Sequence, residues 1–322
     1  MKRLAVVILN WNGKSWLEKF LPTVVEHSKN SDIYIIDNAS TDDSLDFIKQ
    51  NYPEIKIIVN NKNYGFAGGY NEGLKKINNE FYCLLNSDVE VTENWIDPVI
   101  ALFDKDQNIA AVQPKIKSYH NRDHFEFAGA AGGLIDNLGY PYCRGRVFDH
   151  LEKDLGQFDD ETEIFWASGC ALFIRSKDFW DQKGFDARFF AHQEEIDLCW
   201  RLINSGRKIF YTYKSEVYHV GGGTLNKQSP QKTYLNFRNN LSMMLKNLPF
   251  PQVFFIIFIR LCLDGLAGLH FWKQMGFSHL WAVVRAHFAF YGQALQTWKL
   301  RQKSQKKKFY NNKYLIFKHF LK

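Results

Sequence analysis

The sequence predicts an α/β fold with a doubly wound, mostly parallel sheet, because short apolar runs alternate with helix-prone segments along its N-terminal half. The apolar runs are continuous and rich in β-branched residues, which is typical of buried parallel strands, and they cover residues 4–9, 33–37, 55–59 and 81–85. Helix-prone segments lie between them at 15–29, 43–51 and 70–77. The short connections favour right-handed crossovers.

Beyond Val112 the alternation weakens. Residues 118–163 are rich in Gly, Asp and aromatic side chains, which predicts loops or a small sheet over the carboxyl edge of the strands. A strand at 166–175 and a helix at 195–205 follow, and Gly206 is a suitable residue to end that helix. We therefore expect one α/β domain, with halves at 1–115 and 116–245, followed by a helical tail at 246–322.

The composition indicates a folded protein, since 46% of the 322 residues are apolar and 16% are aromatic. The five cysteines are an odd number, widely spaced and without a C-x-x-C pair, which argues against a disulfide framework or a zinc site and fits a reducing cytosol. The N-terminus runs from Met1 directly into a strand-like segment, so no signal peptide is predicted.

The charge of the chain is divided unevenly. Residues 265–322 contain 11 Lys and Arg and no Asp or Glu, whereas the rest carries 30 basic and 34 acidic groups. A basic tail on a mildly acidic body suggests a polyanionic partner, either nucleic acid or an anionic membrane. No nucleic-acid recognition motif accompanies the tail, so the membrane is favoured.

The tail also has an amphipathic pattern. Residues 253–272 are apolar enough to suggest a membrane span, but Arg260 and Asp264 interrupt the apolar run. Placing either charged side chain at the bilayer centre costs roughly 2.5–3.5 kcal/mol. From Ser278 a small or polar stripe, continuing through residues 282, 285, 289, 292, 296, 299 and 303, lies opposite larger apolar residues. With six basic residues between 299 and 308, the pattern predicts an interfacial helix on an anionic leaflet. Docking on the domain core or in a dimer is the alternative.

Two acidic residues follow predicted strands. In open α/β sheets, ligands bind beyond the carboxyl ends of the strands, where Asp37 and Asp88 lie. The turn at 37–42 offers a carboxylate and amides to a nucleobase edge or to ribose hydroxyls, although Thr41 and Asp42 fit helix capping equally well. Residues 86–88, Asn-Ser-Asp, supply oxygen ligands that suit Mg²⁺ or Mn²⁺ bridging a diphosphate.

Three further segments could serve a site. The glycine-rich stretch at 65–73 does not match G-x-G-x-x-G, and it either lets a ligand come close or serves packing alone. The acids at 194, 195 and 197 open a helix and exceed what the helix dipole needs, so one of them could act as a general base. His219 precedes the glycine run 221–223 and could complete a metal site.

Six motifs taken together resemble glycosyltransferase family 2 and its nucleotide-diphospho-sugar transferase (GT-A) fold over about residues 4–245. The glycine loop is similar to that of bacterial rhamnosyltransferase-like members that build surface polysaccharides. The motifs are VVILNWNG at 6–13, DNASTD at 37–42, NYGFAGGYN at 63–71, LNSDV at 85–89, SGCAL at 168–172 and EEIDLCWR at 194–201.

The resemblance implies a role for particular residues. Asp88 would be the metal-holding end of the family's D-x-D motif, with His219 able to reach the same Mg²⁺ or Mn²⁺, and Glu195 or its neighbour Glu194 would be the catalytic base. Donor binding would involve Asn10, Asn12, Asp37, Asn38, Gly65, Gly68, Asn71, Asn86, Ser87 and Arg238. The chain departs from the family in two places, because Asn86 replaces the first acid of D-x-D and Glu replaces the usual Asp at the base.

The implied activity is a metal-dependent, inverting displacement that moves one sugar from a UDP- or dTDP-sugar to a glycan or polyprenyl-diphosphate-linked acceptor. Residues 1–115 would bind the donor and 116–245 the acceptor. Without the Q-x-x-R-W motif and multiple spans of processive synthases, we expect single-sugar transfer by a cytoplasmic protein, peripheral on the inner face of the cytoplasmic membrane. A catalytically silent nucleotide-sugar-binding scaffold is the alternative, and a nucleotidyltransferase lacks support because residues 10–13 form no basic phosphate loop.

Overall fold

The computed structural model describes residues 2–147, 150–221 and 229–315. Its strands are β1 Leu4–Asn10, β2 Asp32–Asp37, β3 Lys56–Val59, β4 Phe81–Leu85, β5 Val89–Val91, β6 Ile109–Ser118, β7 Gly133–Ile135, β8 Pro141–Cys143, β9 Arg146–Val147, β10 His150–Leu151, β11 Glu161–Ile164, β12 Ala171–Arg175 and β13 Lys208–His219. Its helices are α1 Lys14–His27, α2 Ser44–Asn51, α3 Gly65–Leu74, α4 Asp97–Lys105, α5 Ser176–Asp181, α6 Glu194–Asn204, α7 Pro230–Asn247, α8 Gln252–Met275 and α9 Phe277–Lys299.

The main sheet has nine strands and mixed direction. Its order is β11-β13-β6-β12-β4-β1-β2-β3, with β5 paired to β13. The run β4-β1-β2-β3 is parallel throughout, whereas β12 lies antiparallel between β4 and β6. This confirms the predicted α/β fold with a mostly parallel sheet, and it aligns the carboxyl ends of β1 and β2 so that Asn10 pairs with Asp37.

A second sheet covers part of the first. Four short antiparallel strands, in the order β10-β9-β8-β7, lie within residues 133–151. The glycine- and aromatic-rich region at 118–163 therefore contains the small sheet that its composition predicted. The strand predicted at 166–175 is shorter than expected and begins at Ala171, while Trp166 forms a single bridge to Gly133.

Helix α3 begins at Gly65, five residues before the predicted start. Gly65 adopts a positive φ of 72°, and the carbonyl of Phe190 accepts hydrogen bonds from the amides of Phe66 (2.7 Å) and Ala67 (3.2 Å). An acceptor from a distant segment thus satisfies the first amides of the helix, which otherwise have no partner within it. The sequence around Gly65 gives no indication of this acceptor, because Phe190 lies in a distant part of the chain.

The C-terminal part consists of three helices. Helix α7 continues to Asn247, two residues past the expected boundary at 245, and packs against both α8 and α9. Gly276, with a φ of 97°, joins α8 to α9. Among the described residues, α8 is the one helix long and apolar enough to cross a membrane, with a mean hydropathy of 1.9. Most of the glycine run after His219 and the end of the basic tail lie outside the described residues.

Candidate active site

The carboxyl ends of β1 and β2 form a hydrogen-bonded corner. The buried Asp37 accepts hydrogen bonds from Nδ2 of Asn10 (3.1 Å) and from the amide of Ser40 (2.9 Å). The exposed Asn12 accepts one from the amide of Thr41 (2.7 Å). Three of the predicted donor-binding residues therefore meet around the turn at 37–42. Asp42 also accepts from the amides of Lys14 and Ser44, but neither Thr41 nor Asp42 is the N-cap of α2, since Asp43 occupies that position.

Asn38 joins this corner to the glycine segment. Its Nδ2 donates to Oδ1 of Asn63 (2.9 Å) and to the carbonyl of Gly65 (3.0 Å). Its Oδ1 accepts from Nδ2 of Asn60 (3.1 Å) and from the amide of Tyr64 (3.2 Å). All four hydrogen-bonding positions of the side chain are thus used within the protein, and Asn38 fixes the loop that leads into α3.

The glycine segment brings α3 against the chain that precedes α6. A Cβ atom at Gly65 would lie 2.5 Å from the Phe190 ring, and one at Gly68 would lie 3.0 Å from Cβ of Tyr64. Asn71 exchanges two hydrogen bonds with the backbone of Phe185, at 2.8 and 2.9 Å. Close packing therefore accounts for these small residues, in agreement with the alternative that the sequence left open.

Asp88 lies at the edge of the sheet beside His219, the last residue of β13. Oδ1 of Asp88 is 3.2 Å from Nε2 of His219, and both side chains are buried. Asn86 Nδ2 lies 3.5 Å from the same ring nitrogen, and Ser87 is half-buried at the same edge. The opposite ring nitrogen, Nδ1, lies 3.1 Å from Oε2 of Glu126. The imidazole of His219 therefore lies between two carboxylates.

Sequence reasoning did not single out Glu126. It lies in the irregular region after β6, far from any strand end, and its role appears only when the fold brings it to His219. Burial lowers the pKa of His219, but Cys170, Glu126 and Asp88 together outweigh that effect and raise the pKa well above its ordinary value.

The Asp88–His219 distance is that of a hydrogen bond or ion pair, and it would also suit two ligands of one cation. Neighbouring ligands of an octahedral ion with bonds of about 2.1 Å lie about 3 Å apart, close to the observed 3.2 Å. Glu126 at the other nitrogen matches the carboxylate that commonly orients a metal-bound histidine. Among the described residues, no group of three or more His, Cys, Asp or Glu side chains could hold a metal alone. Further ligands would have to come from a diphosphate and water.

Two adjacent carboxyl groups open α6. Glu194 is buried and Glu195 half-buried, and Oε2 of each has no hydrogen-bond partner within the described chain. Burial raises the pKa of Glu195 to about 7. Burial together with the charge of Glu195 raises the pKa of Glu194 well above its ordinary value. The third acid, Asp197, forms ion pairs with Arg201 and Lys246, at 2.8 Å each, so its charge is neutralised within the protein.

Residues 168–170 connect the Asp88 edge to the start of α6. The carbonyl of Cys170 accepts the amide hydrogen of Asn86 at 2.9 Å. A Cβ atom at Gly169 would lie 3.9 Å from Cβ of Glu195. That distance is an ordinary van der Waals contact, so the start of α6 packs next to Gly169. Residues 168–170 thus contact both the start of α6 and Asn86, two residues before Asp88.

The loop before α6 has a strained backbone and is held in place by hydrogen bonds from two side chains of α7. Phe190, His192 and Gln193 have φ values of 66°, 72° and 72°, which non-glycine residues seldom adopt. Nδ2 of Asn239 donates to the carbonyls of residues 189, 191 and 192 at 2.8–3.0 Å. Arg238 donates to the carbonyls of residues 188 and 189 and to Oδ1 of Asn239. The pair thus forms a clamp on the segment that presents Glu195.

Curated relatives match the chain over two thirds of its length. It is 23% identical over 235 residues to the N-acetylglucosaminyl-diphospho-decaprenol L-rhamnosyltransferase of Mycobacterium tuberculosis, covering 67% of this chain and 75% of that protein. It is 21% identical to rhamnosyltransferase WbbL of Escherichia coli K12, covering 66% and 82%. Both of these relatives are named as rhamnosyltransferases, and the chain is also 23% identical to the low-salt glycan biosynthesis hexosyltransferase Agl10 of Haloferax volcanii, covering 73% of each protein.

Solved structures share the fold. GalNAc-T7 with UDP, GalNAc and Mn²⁺ superposes with a TM-score of 0.61 at 20% identity, covering 78% of this chain but about half (49%) of that one. TarS 1–349 of S. aureus with UDP gives 0.55 at 15% identity, covering 93% and 89%. The family model for Glycosyl transferase family 2 matches residues 5–181, the sheet and loops that carry Asp37 and Asp88. Because that match spans more than half of the chain, the protein belongs to glycosyl transferase family 2 and is a glycosyltransferase with a GT-A fold.

Proposed function

We propose that the protein transfers a single sugar, with inversion, from a UDP- or dTDP-sugar to a glycan or polyprenyl-diphosphate-linked acceptor in cell-surface polysaccharide synthesis. The observation that carries this proposal is the connection through residues 168–170, which bond to Asn86 beside Asp88 and contact Glu195 at the start of α6. An inverting displacement needs one base on the acceptor side and charge neutralisation on the leaving-group side.

Asp88 and His219 would hold the divalent cation, Mg²⁺ or Mn²⁺. When bound, such a cation offsets the negative charge that develops on the departing nucleoside diphosphate. Asp88 would act as the single carboxylate ligand, because Asn86 occupies the other acidic position of the motif. Glu126 would orient His219 through Nδ1. The Mn²⁺ complexes of GalNAc-T7 and of the mannosyltransferase PcManGT, which share the fold, support the use of a divalent cation.

Glu195 would be the general base. It removes the proton from the acceptor hydroxyl as the oxygen attacks the anomeric carbon, so no covalent sugar–enzyme intermediate forms. The residue is half-buried, and its Oε2, like that of Glu194, has no hydrogen-bond partner within the described chain. Glu194, the second candidate, is almost entirely enclosed. The pKa of Glu195, raised to about 7, suits proton abstraction near neutral pH.

The donor-binding residues divide into two groups in this proposal. Asn12, Asn86 and Ser87 lie at the open edge, where they would contact the nucleotide or its diphosphate. The others would shape the donor site from behind through the hydrogen bonds and close packing described above, and they are Asn10, Asp37, Asn38, Gly65, Gly68, Asn71 and Arg238.

The acceptor and the location follow from the relatives and the tail. The Mycobacterium tuberculosis relative is named for a diphospho-decaprenol acceptor, and a lipid-linked acceptor of that class would require the enzyme to work at a membrane. The basic tail fits the anionic inner leaflet. We therefore place the protein in the cytoplasm, peripheral on the inner face of the cytoplasmic membrane.

A panel of UDP-, dTDP- and GDP-sugars, each with Mn²⁺, with Mg²⁺ and with chelator, tests the proposal. We expect one donor to raise the melting temperature only when metal is present, and the same donor to support transfer to a polyprenyl-diphosphate-linked glycan with inverted anomeric configuration by NMR. Stabilisation without hydrolysis or transfer to any acceptor would instead favour the silent scaffold. Transfer that proceeds undiminished in chelator would contradict the metal role.

A further inference from the structure

The outer surface of α8 is apolar along almost its whole length. The exposed residues recur at helical spacing and form one uninterrupted row, made of Phe254, Phe255, Phe258, Cys262, Leu266, Leu269 and Trp272. At 1.5 Å per residue the row extends for about 27 Å. Soluble monomers seldom expose so continuous an apolar surface, so this face is expected to be covered.

The charged residues of α8 lie on its inner face. Arg260 donates from Nη1 to the carbonyl of Leu138 (2.9 Å), and its guanidinium lies 3.6 Å from the centre of the Tyr140 ring. Asp264 lies 3.5 Å from Arg260 and 3.7 Å from His287 of α9. The two charges that interrupt the apolar pattern in the sequence are therefore buried against protein. Helix α8 has the reverse polarity of a helix on a water-facing surface.

Basic side chains border the apolar row. Helix α9 adds exposed Phe277, Trp281 and Phe288, and the hairpin is followed by a segment with no acidic residue. Exposed lysines lie near the end of α8, at Lys273, and at the end of α9, at Lys299, and four more follow at Lys303, Lys306, Lys307 and Lys308. Arg301 does not belong to this group, because it donates to the carbonyls of Leu245 and Leu248. An apolar surface with cations at the ends of its helices complements a layer of acyl chains beneath anionic headgroups.

We propose that the α8–α9 hairpin lies in the plane of an anionic phospholipid leaflet, with the α8 row among the acyl chains and the basic residues at the headgroups. The inference rests on the membrane association proposed above and specifies its mode. A transmembrane orientation of α8 would place the Arg260–Asp264 pair and its polar partners from residues 138–140 at the bilayer centre. An in-plane orientation leaves them on the protein side.

The hairpin is also fastened to the catalytic part. Thr297 of α9 accepts a hydrogen bond from Nη1 of Arg188 (3.2 Å), directly before the strained loop that leads to Glu195. Thr233 of α7 contacts Nδ1 of His279 in α9 at 2.9 Å. Docking of the hairpin would thus hold the acceptor side of the site at a fixed position relative to the leaflet, within reach of a lipid-linked acceptor.

Vesicle sedimentation tests the surface. For the full chain, we expect binding to vesicles of phosphatidylglycerol and phosphatidylcholine to fall at least tenfold when Phe254, Phe258 and Leu266 are changed to Ser. A matched variant, Val59→Ser with Leu155→Ser, removes two exposed apolar residues elsewhere and should bind like the parent. If the α8 variant binds vesicles as well as the parent does, the proposal is wrong. If the α8 substitutions instead dissociate a concentration-dependent dimer and leave vesicle binding unchanged, the apolar row is a dimer interface.

Cys262 tests the orientation, because it is exposed near the middle of α8 whereas the other four cysteines are buried. An environment-sensitive fluorophore on Cys262 should shift to shorter wavelength with vesicles and be quenched more by shallow than by deep spin-labelled lipids, as expected about 5–10 Å below the surface. Preferential quenching by deep labels would mean a spanning helix and reject the in-plane mode. Failure of the parent to bind vesicles would reject membrane association altogether, while transfer to a soluble acceptor analogue tests the sugar-transfer proposal separately.

Discussion

Oδ1 of Asp88 lies 3.2 Å from Nε2 of His219, although 130 residues separate them in the chain. The contact arises because β13 ends beside β5, where His219 pairs with Val89. Glu126 completes the arrangement from the other side of the ring, at 3.1 Å. With Asn86 in place of the first acid of the motif, the cation proposed here would depend on one carboxylate and one imidazole.

Replacing Asp88 by Ala should lower metal-dependent transfer about 100-fold or more, because the single carboxylate ligand is lost and the leaving group loses its neutralising charge. Initial rates of transfer, measured across a Mn²⁺ titration, would report the change. Asp43→Ala, which removes an exposed carboxylate beside α2, is the matched control and should retain the parent rate. An Asp88→Ala enzyme with undiminished transfer would contradict the metal role of Asp88.

Replacing Glu126 by Gln should weaken Mn²⁺ affinity about 10- to 100-fold while leaving the maximal rate largely intact, as expected for a residue that orients a ligand. The amide keeps the shape of the side chain but removes the charge that faces Nδ1 of His219. The half-saturating Mn²⁺ concentration in the presence of donor measures this effect. Glu163→Gln on the exposed edge strand β11 provides the control, and a parent-like Mn²⁺ dependence in Glu126→Gln would remove Glu126 from the site.

The fold and part of the site could be predicted because their signals are local. Continuous apolar runs predicted the central parallel strands, and the ends of those strands located Asp37 and Asp88 without knowledge of the sheet order. The antiparallel insertion of β12 between β4 and β6 could not be predicted this way, since its run of apolar residues looks the same in either direction.

The long-range contacts around the candidate site required the tertiary structure. Nothing near Glu126 in the sequence marks it as a partner of His219, and the carbonyls held by Asn239 belong to residues almost 50 positions away. The early start of α3 at Gly65 has the same origin, because its amides pair with Phe190. In each case a backbone group or a buried charged side chain finds its hydrogen-bond or ion-pair partner in a distant segment. The spacing of apolar residues in the sequence gives no information about such partners.

The rate of transfer should fall on the acidic side of about pH 7. The pKa of Glu195 is raised to about 7 by burial, so the carboxylate that accepts the proton is present above that pH and is lost below it. We expect kcat/KM to decrease about tenfold per pH unit well below pH 7. Glu195→Gln should abolish transfer with nearly unchanged donor binding, and unchanged turnover in that variant would exclude Glu195 as the base.

Replacing Glu194 by Gln should stabilise the protein at neutral and higher pH. Burial and the charge of Glu195 raise the pKa of Glu194 in the folded state above its unfolded value. The folded protein therefore holds this proton while the unfolded chain releases it, and stability is lost as pH rises between the two pKa values, by about 1.4 kcal/mol per pH unit. Urea unfolding at pH 5 and pH 8 would show a gain for Glu194→Gln that is larger at pH 8.

The Glu54→Gln variant, at an exposed position, serves as the comparison for that experiment and should follow the parent at both pH values. Transfer by Glu194→Gln also separates the two adjacent acids. Retained activity would leave Glu195 as the base, whereas an inactive but well-folded Glu194→Gln enzyme would reverse the assignment.

Replacing Asn239 by Ala should slow transfer more than it weakens donor binding. The side chain holds three carbonyls of the strained loop before α6, and its loss removes this donor from the carbonyls of residues 191 and 192 at about 1–3 kcal/mol, whereas residue 189 keeps the bond from Arg238. Release of the loop would let Glu195 leave its position, so we expect kcat to fall at least tenfold with a small change in the donor KM. Asn79→Ala, which removes buried hydrogen bonds to the carbonyl of Lys2 and to Asp32 instead, should lose comparable stability but keep kcat. Equal kcat values in the two variants would show that the clamp supports folding alone.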